Sequence, residues 1–315
     1  MYINATGYYI PTPRIDNEYF KSKIGLDDEW IVKRTGIHTR SRTAENENQN
    51  TMALRAVENA LPSLPYNIKD VDLIVASAYT AFDTVATVAH EIQKAYDING
   101  ARALYTSSAC SSFVNGLEVV EGYFATGKAS KALLICSEHN SYYSNDDDPK
   151  AGHLWGDAAV AYFLSAKPCA EGEPEILAIH TEGLGNVSKG PEGVMLRPRE
   201  GGIMMPFGKD VFVHACKYMI DALDKAGEMA GGLSAKDMDH IICHQANLRI
   251  VANVARQLGI PMEQFVNNIG ELGNTGSAGA PLAFAQFRDS FPAGSKIGLT
   301  VFGGGYSCGA FIVRI

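Results

Sequence analysis

The sequence predicts an α/β protein made of two similar halves, each built from parallel βαβ units. Three observations carry this. Short apolar runs alternate with helical patterns along the chain, which implies crossover connections between parallel strands. Three stretches of the first half recur in the second at an offset of roughly 165 residues, as an internal duplication would give. The chain has 315 residues, 46% of them hydrophobic, enough to bury the large core that such a fold needs.

Taken in order, Tyr2 to Ile10 alternates like a strand and ends at Pro11 and Pro13. Asp27-Asp28-Glu29-Trp30 opens a short helix, since acidic side chains favour a helix N-terminus, and Lys33 to Arg40 reads as a basic turn. Asn50-Thr51 caps a helix with the stripe Ala53, Ala56, Val57, Ala60 and Leu61, stopped by Pro62. Val71 to Ala76 is a buried strand, and Thr84 to Tyr96 a helix with Val85, Val88, Ile92 and Tyr96 inward. Ala103 to Thr106 is a strand running into small residues, then Cys110, then a helix with Phe113, Leu117, Val120 and Phe124 on one face and Gly127 as its stop. Lys131 to Cys136 is the next buried strand. Asn145 to Pro149 is an exposed acidic loop, and Trp155 to Leu164 is the strand that closes a first half at residues 1–167.

The second half, 168–315, begins with a link from Pro168 to Pro174. Residues 183–208 are rich in Gly and Pro and read as irregular. Val211 to Lys225 is an amphipathic helix with Phe212, Ala215, Cys216, Met219 and Leu223 on its stripe. The duplication then shows. Val71–Ser77 matches Met238–His244, the Cys110 helix start matches Gly273–Leu282, and Lys131–Cys136 matches Lys296–Val301. Equivalent loops of a duplicated fold meet near one pseudo-twofold axis, so both halves can contribute to one site.

Composition excludes several functions. The net charge of −8 argues against nucleic acid as the main partner. The opening Met-Tyr-Ile-Asn-Ala-Thr-Gly lacks a basic-then-apolar signal, and no apolar run suffices to span a bilayer, so a cytoplasmic protein without membrane contact is expected. The six cysteines include no CxxC pair or zinc-site spacing, so no metal is expected.

Cys110 sits where a strand hands over to a helix N-terminus. Unpaired N–H groups there are expected to lower its thiol pKa, and Ser107, Ser108, Ala109 and Ser111 leave room for a thioester. The plain alternative is a buried structural cysteine. His244 follows a buried strand in the polar run Cys243-His-Gln-Ala-Asn247-Leu-Arg249-Ile. Asn274 opens the duplicated helix as Cys110 opens the first, and Phe302-Gly-Gly-Gly305-Tyr306 is a glycine turn whose N–H groups can face a ligand.

Taken together, Glu29–Ile37, Ser108-Ala-Cys110-Ser, Trp155-Gly-Asp157, His244–Ile250, Gly273-Asn274-Thr and Phe302–Gly305 resemble the β-ketoacyl-acyl-carrier-protein synthases of type III (the FabH-like ketosynthases of the thiolase superfamily), over essentially the whole chain. The resemblance implies a thiolase-like αβαβα five-layer fold, a homodimer, and a Cys110–His244–Asn274 triad. Cys110 would accept the acyl group, with the Cys110 and Gly304 N–H groups as oxyanion hole. By the same resemblance Trp30 and Arg34 match the residues that hold the adenine end of coenzyme A, and Asn247 matches one that lines the pantetheine channel. Arg249 matches the docking site for acyl carrier protein, with Lys217 and Arg256 as ordinary solvated charge or an extension of that patch. No cofactor is implied beyond coenzyme A or phosphopantetheine thioesters as substrates.

Two departures from the housekeeping pattern stand out. Val85-Ala86 replaces an aromatic-proline pair in a helix start that the resemblance places close to the partner's pocket, so that Val85, with Phe212, is expected to border an acyl pocket that is lengthened provided the dimer partner does not fill it. Asp146 to Lys150 replaces an arginine cluster, leaving Lys150 and His153 as weaker phosphate ligands. These suggest a specialised relative using medium or 3-keto acyl groups, similar to the dialkylresorcinol-forming, DarB-like group. The alternatives are a housekeeping fatty-acid initiation synthase, or an acyltransferase on the same fold. A papain-type Cys-His-Asn hydrolase fits neither the duplication nor the glycine turn, and a non-catalytic carrier-binding subunit normally lacks the cysteine.

Overall fold

Nine strands form one mixed sheet: β1 (Tyr2–Tyr9), β2 (Leu73–Ser77), β3 (Arg102–Thr106), β4 (Lys131–His139), β5 (Asp157–Ser165), β6 (Glu175–Gly183), β7 (His240–Cys243), β8 (Lys296–Gly303) and β9 (Ser307–Arg314). Their order is β7-β8-β9-β6-β1-β5-β4-β2-β3 in the computed structural model, which describes Met1–Ile315. Only the starts of β1 and β6 join the two sides, through the pair Tyr2 and Glu175.

The two sides repeat residue by residue. Leu73 pairs with Ala132 in parallel, and His240 pairs with Ile297 in the same way. Lys131 faces Ser165, and Lys296 faces Arg314. Even the irregularity recurs: β1 skips Asn4 against β5, and β6 skips Leu177 against β9. The counterpart of β3 is reduced to a single bridge between Ile241 and Phe265. A shared register and a shared bulge are what a duplication leaves behind.

Six principal helices cover the sheet: α1 (Gln49–Ala60), α2 (Val88–Ala95), α3 (Ser112–Ala125), α4 (Gly208–Met229), α5 (Leu248–Leu258) and α6 (Gly279–Phe287). The strands read as continuous apolar runs because both faces are buried. Leu73 and Val75 point into a core shared with Phe113, Leu117 and Val120 of α3, Leu282 and Phe284 of α6, and Leu299 and Phe311 of the other half. Ile74 and Ala76 point the opposite way, toward α1 and α2. In the second half Ile242 faces the shared core, whereas Ile241 and Cys243 face α4 and α5. The layers are therefore α1/α2, half-sheet, α3/α6, half-sheet, α4/α5. Each fully buried side chain of this size contributes roughly 1.5–3 kcal/mol, so the central α3/α6 layer is the main adhesive between the halves. No helix is long and apolar enough to cross a membrane.

Four expectations change. α1 begins at Gln49 with Asn48, not Asn50-Thr51, as its cap, and the stretch Lys33 to Arg40 is divided between the end of a helix (Asp28–Thr35) and a short strand (Thr39–Ser41) in which Arg40 is buried. The helix expected from Thr84 begins only at Val88, because the Asp83 side chain accepts the N–H groups of Val85 and Ala86 and holds them in a turn. The stretch 183–208 is not wholly irregular: Met195–Arg197 pairs with Gly202–Met204 as a hairpin.

Candidate active site

The chain turns sharply between β3 and α3, and Ala109 adopts the left-handed conformation there, with φ at 50°. That geometry costs an L-residue on the order of 1–2 kcal/mol, so something must hold it. The neighbouring serines do. The Ser108 N–H donates to Ser112 Oγ at 2.8 Å, and the Ser112 hydroxyl donates to the Ala109 carbonyl at 2.6 Å. Ser307, from β9, donates to the Ser108 carbonyl at 3.0 Å. These small residues are fasteners as well as spacers.

Cys110, at the tip of this turn, is backed by Gly303. A Cβ on Gly303 would stand 2.6 Å from the Cys110 nitrogen, so only glycine allows β8 to approach this closely. The N–H groups of Cys110 and Gly304 are not spent on backbone carbonyls. Both lie near enough to the Cys110 sulfur to favour its thiolate. Two free N–H groups converging there form a ready cradle for an oxyanion.

The expected low thiol pKa is overturned. Burial pushes the Cys110 thiol up to about 12, and the Glu138 carboxylate pushes the same way. Tyr79 and the Gly304 and Cys110 N–H groups offset only part of this. The helix start helps a thiolate, but desolvation opposes it more strongly. At rest the sulfur is a thiol, and attack on a carbonyl requires its proton to leave.

His244 lies just past β7, its N–H continuing the ladder to the Thr300 carbonyl at 2.8 Å. Burial lowers its pKa to about 4, so the imidazole is neutral near pH 7. Nδ1 has no partner in the chain, so no protein hydrogen bond fixes its tautomer. Asn274 is anchored on three sides. Its N–H donates to the Leu154 carbonyl at 2.7 Å, its carbonyl accepts from Gly156 N–H at 3.0 Å, and its Oδ1 accepts from Gly276 N–H at 3.0 Å. With Oδ1 committed, the remaining polar group of the side chain is the Nδ2 donor. Gly156 makes this contact possible, since a Cβ there would strike the Leu272 carbonyl at 1.9 Å.

Cys110, His244 and Asn274 line one small cavity of about 40 Å³, closed by Phe302, Gly303 and Gly304 and by Met205, Val211, Ala215 and Met219. A larger cavity of about 570 Å³ meets it at Cys110, Trp155, Val194 and Gly304. Tyr79, Ser107, Pro191, Met195, Leu196 and Ile203 complete that second wall. The cysteine thus stands at a junction, with a polar triad on one side and a largely apolar chamber on the other.

Comparison with known proteins agrees with this architecture. Residues 106–185 match the family model described as 3-Oxoacyl-[acyl-carrier-protein (ACP)] synthase III, and residues 229–315 match that of its C-terminal part. The β-ketoacyl-[acyl-carrier-protein] synthase III of Erythrobacter litoralis is 34% identical, the match covering 99% of this chain and 98% of the relative. The chain belongs to the β-ketoacyl-[acyl-carrier-protein] synthase III family. The crystal structure of 3-oxoacyl-[acyl-carrier-protein] synthase III from Aquifex aeolicus superposes with a TM-score of 0.92 at 30% identity, covering 100% of this chain and 99% of that one. The priming β-ketosynthase of the R1128 polyketide pathway superposes at 0.89 with 26% identity, covering 100% and 96%. A ketosynthase is an acyltransferase, and this chain is one.

Val85 is 86% exposed and lines neither cavity, and Phe212 lies outside both, beneath the Arg249 guanidinium at 5.8 Å. The larger cavity is walled in part by the hairpin residues Met195, Leu196 and Ile203. Their only sequence signal is apolar residues flanking the Gly201-Gly202 pair. Trp30 and Arg34 stack on each other at 4.1 Å, and Trp30 meets His153 edge-on at 5.6 Å. His153 is buried, and burial followed by the Arg40 charge lowers its pKa to about 4, so a neutral ring stands where a phosphate ligand was expected. Lys150 borders a separate surface hollow with Asp148 and Arg197. Asn247 caps α5 through the Arg249 N–H at 2.9 Å and lines neither cavity. Arg249 is exposed at the start of α5, as a docking residue must be, while Lys217 is paired with Asp221 at 2.8 Å.

Proposed function

We propose that this chain makes carbon–carbon bonds by decarboxylative Claisen condensation through an acyl-Cys110 intermediate, and that its reaction is fatty-acid initiation: an acyl thioester joined to a malonyl group on acyl carrier protein. The observation that carries this is the junction at Cys110, where two free N–H groups lie near the sulfur and a neutral His244 and a donor-only Asn274 share its cavity.

In the first half-reaction Cys110 sulfur bonds to the donor's carbonyl carbon. The oxyanion rests on the Cys110 and Gly304 N–H groups, and the departing thiol of coenzyme A or phosphopantetheine takes up the proton that Cys110 loses. In the second, the malonyl thioester breaks its bond to the carboxylate and releases carbon dioxide. The electron pair becomes an enolate whose oxygen accepts hydrogen bonds from His244 and Asn274. The enolate carbon attacks the acyl carbonyl, the carbon–sulfur bond breaks, and a 3-oxoacyl thioester leaves; the Cys110 thiolate so released takes a proton from solvent and returns to the thiol. A neutral imidazole and an amide suit this step because both donate without adding a base. Coenzyme A or phosphopantetheine belongs to the substrates, and no resident cofactor takes part. Arg249 would receive the acidic carrier. Trp30 and Arg34 would part to hold an adenine, Asn247 would flank the pantetheine, and two chains would pair, with residues 1–167 and 168–315 as the duplicated halves of each.

The specialised dialkylresorcinol-type reading is the weaker one. The relative from Erythrobacter litoralis bears the initiation enzyme's name, which favours initiation. The likeness to a polyketide priming synthase keeps it as the second reading. The test is condensation with malonyl-carrier protein across donors of graded length and 3-keto type, on coenzyme A and on carrier. Preference for short acyl-coenzyme A supports initiation; preference for medium or 3-keto groups on carrier supports the specialised reading; no 3-oxoacyl product from any pair would sink both.

A further inference from the structure

One carboxylate lies beneath the site and has no part in the chemistry above. Glu138, on β4, is fully buried. Neutral donors hold it: Tyr79 N–H at 3.2 Å and the Ser277 hydroxyl on Oε1, and Thr80 N–H at 3.1 Å with the Thr80 hydroxyl at 2.5 Å on Oε2. These donors come from both halves of the molecule. Tyr79 and Thr80 form the turn after β2, and Ser277 stands three residues beyond Asn274.

The contacts continue into the site. Tyr79 lines the larger cavity together with Cys110, and its hydroxyl donates to Asn140 Oδ1 at 2.7 Å. Asn140 Nδ2 in turn donates to the carbonyls of Gly156 at 2.8 Å and Asn274 at 3.4 Å. The circuit runs from Glu138 through Tyr79 to Asn140 and the cavity at Cys110, and through Ser277 to the turn that carries Asn274.

We propose that Glu138 is a positioning residue of the condensing site: its single carboxylate clamps the Tyr79–Thr80 turn, which lines the cavity beside Cys110, to Ser277 in the Asn274 turn. The proposal rests on the reading of Cys110 and Asn274 given above. An acceptor with four donors is the economical way to fix two loops from separate halves, because a carboxylate offers enough lone pairs for all of them. Its charge has a second effect. The titratable groups that feel it are Cys110, Cys136, Tyr79, Tyr105 and Tyr143, and it pushes each of them up. Burial also lifts the Glu138 carboxyl itself to about 7, against the pull of its hydrogen bonds from Ser277 and Thr80. Removing the charge therefore favours the Cys110 thiolate.

Glu138→Gln and Ser277→Ala test this beside the wild type. Three quantities are read: iodoacetamide alkylation of Cys110 against pH, acylation by intact mass, and condensation rate. Glu138→Gln is expected to shift the alkylation profile to lower pH, which a merely structural residue would not do. Both variants should acylate yet condense on the order of 10²-fold more slowly, the typical cost of a slight misplacement of reacting groups. Should Glu138→Gln fail to fold, Ser277→Ala decides alone, since it leaves the carboxylate and removes one arm of the clamp. Wild-type condensation in Ser277→Ala, or an unmoved alkylation profile in a folded Glu138→Gln, overturns the proposal. Alkylation needs no thioester, so a wild type that never condenses would count against the proposed function while this readout still judges Glu138.

Discussion

Replacing Asn274 by aspartate changes one atom of the side chain and should separate the two half-reactions. Asn274 is almost wholly buried and held at its N–H, its carbonyl and its Oδ1, so the new side chain has no room to turn away. Aspartate keeps the bond from Gly276 N–H. Its second oxygen, however, replaces a donor by a charged acceptor in a cavity of about 40 Å³ shared with His244. Losing one donor to a developing oxyanion costs about 3 kcal/mol, or 10²–10³ in kcat. The added charge repels an enolate and increases that loss. Acylation uses Cys110 and the two N–H groups instead, so it should stay within about tenfold of wild type. Intact mass follows the acyl-enzyme, and carbon dioxide release with 3-oxoacyl product follows condensation. An Asn274→Asp enzyme that condenses at the wild-type rate would refute the enolate role of Asn274.

Two further outcomes follow from the geometry. Gly303→Ala brings a Cβ to 2.6 Å from the Cys110 nitrogen, so the turn must move; acylation should fall by at least ~10²-fold, checked by acyl-enzyme formation in protein that still melts cooperatively. His244 has a folded pKa of about 4 against an ordinary 6.5, so below pH 6.5 the unfolded chain takes a proton that the folded chain refuses. Stability from this group is fully present above pH 6.5 and is lost as pH falls toward 4, by about 2 kcal/mol between pH 7.5 and 5. Urea midpoints at those two pH values should converge by that amount in His244→Gln, and an unchanged slope would mean that His244 is not held neutral by burial.

The fold was legible because both faces of the sheet are covered. Strands such as Leu73–Ser77 and Lys131–Cys136 therefore read as unbroken apolar runs, and their copies at His240 and Lys296 carry the same pattern. Cys110, His244 and Asn274 were legible because each stands where a strand or turn gives way to a helix. What failed depended on tertiary surroundings. The thiol's acidity is set by burial and by Glu138, a residue that looks like any other position of a strand. Tyr79 and the hairpin residues Met195, Leu196 and Ile203 are drawn to Cys110 only by packing. Val85 left the helix because Asp83 captured its N–H group, a local competition that helical spacing does not register.

The central claim is that Cys110 carries the acyl group between two substrates. Intact mass of the wild type and of Cys110→Ala, after mixing with an acyl thioester and then with malonyl-carrier protein, tests it most directly. The wild type should gain one acyl group, located on the Cys110 peptide, and lose it on adding the malonyl substrate; Cys110→Ala should gain nothing. An adduct on another residue, or one that persists when malonyl-carrier protein is added, would contradict the account.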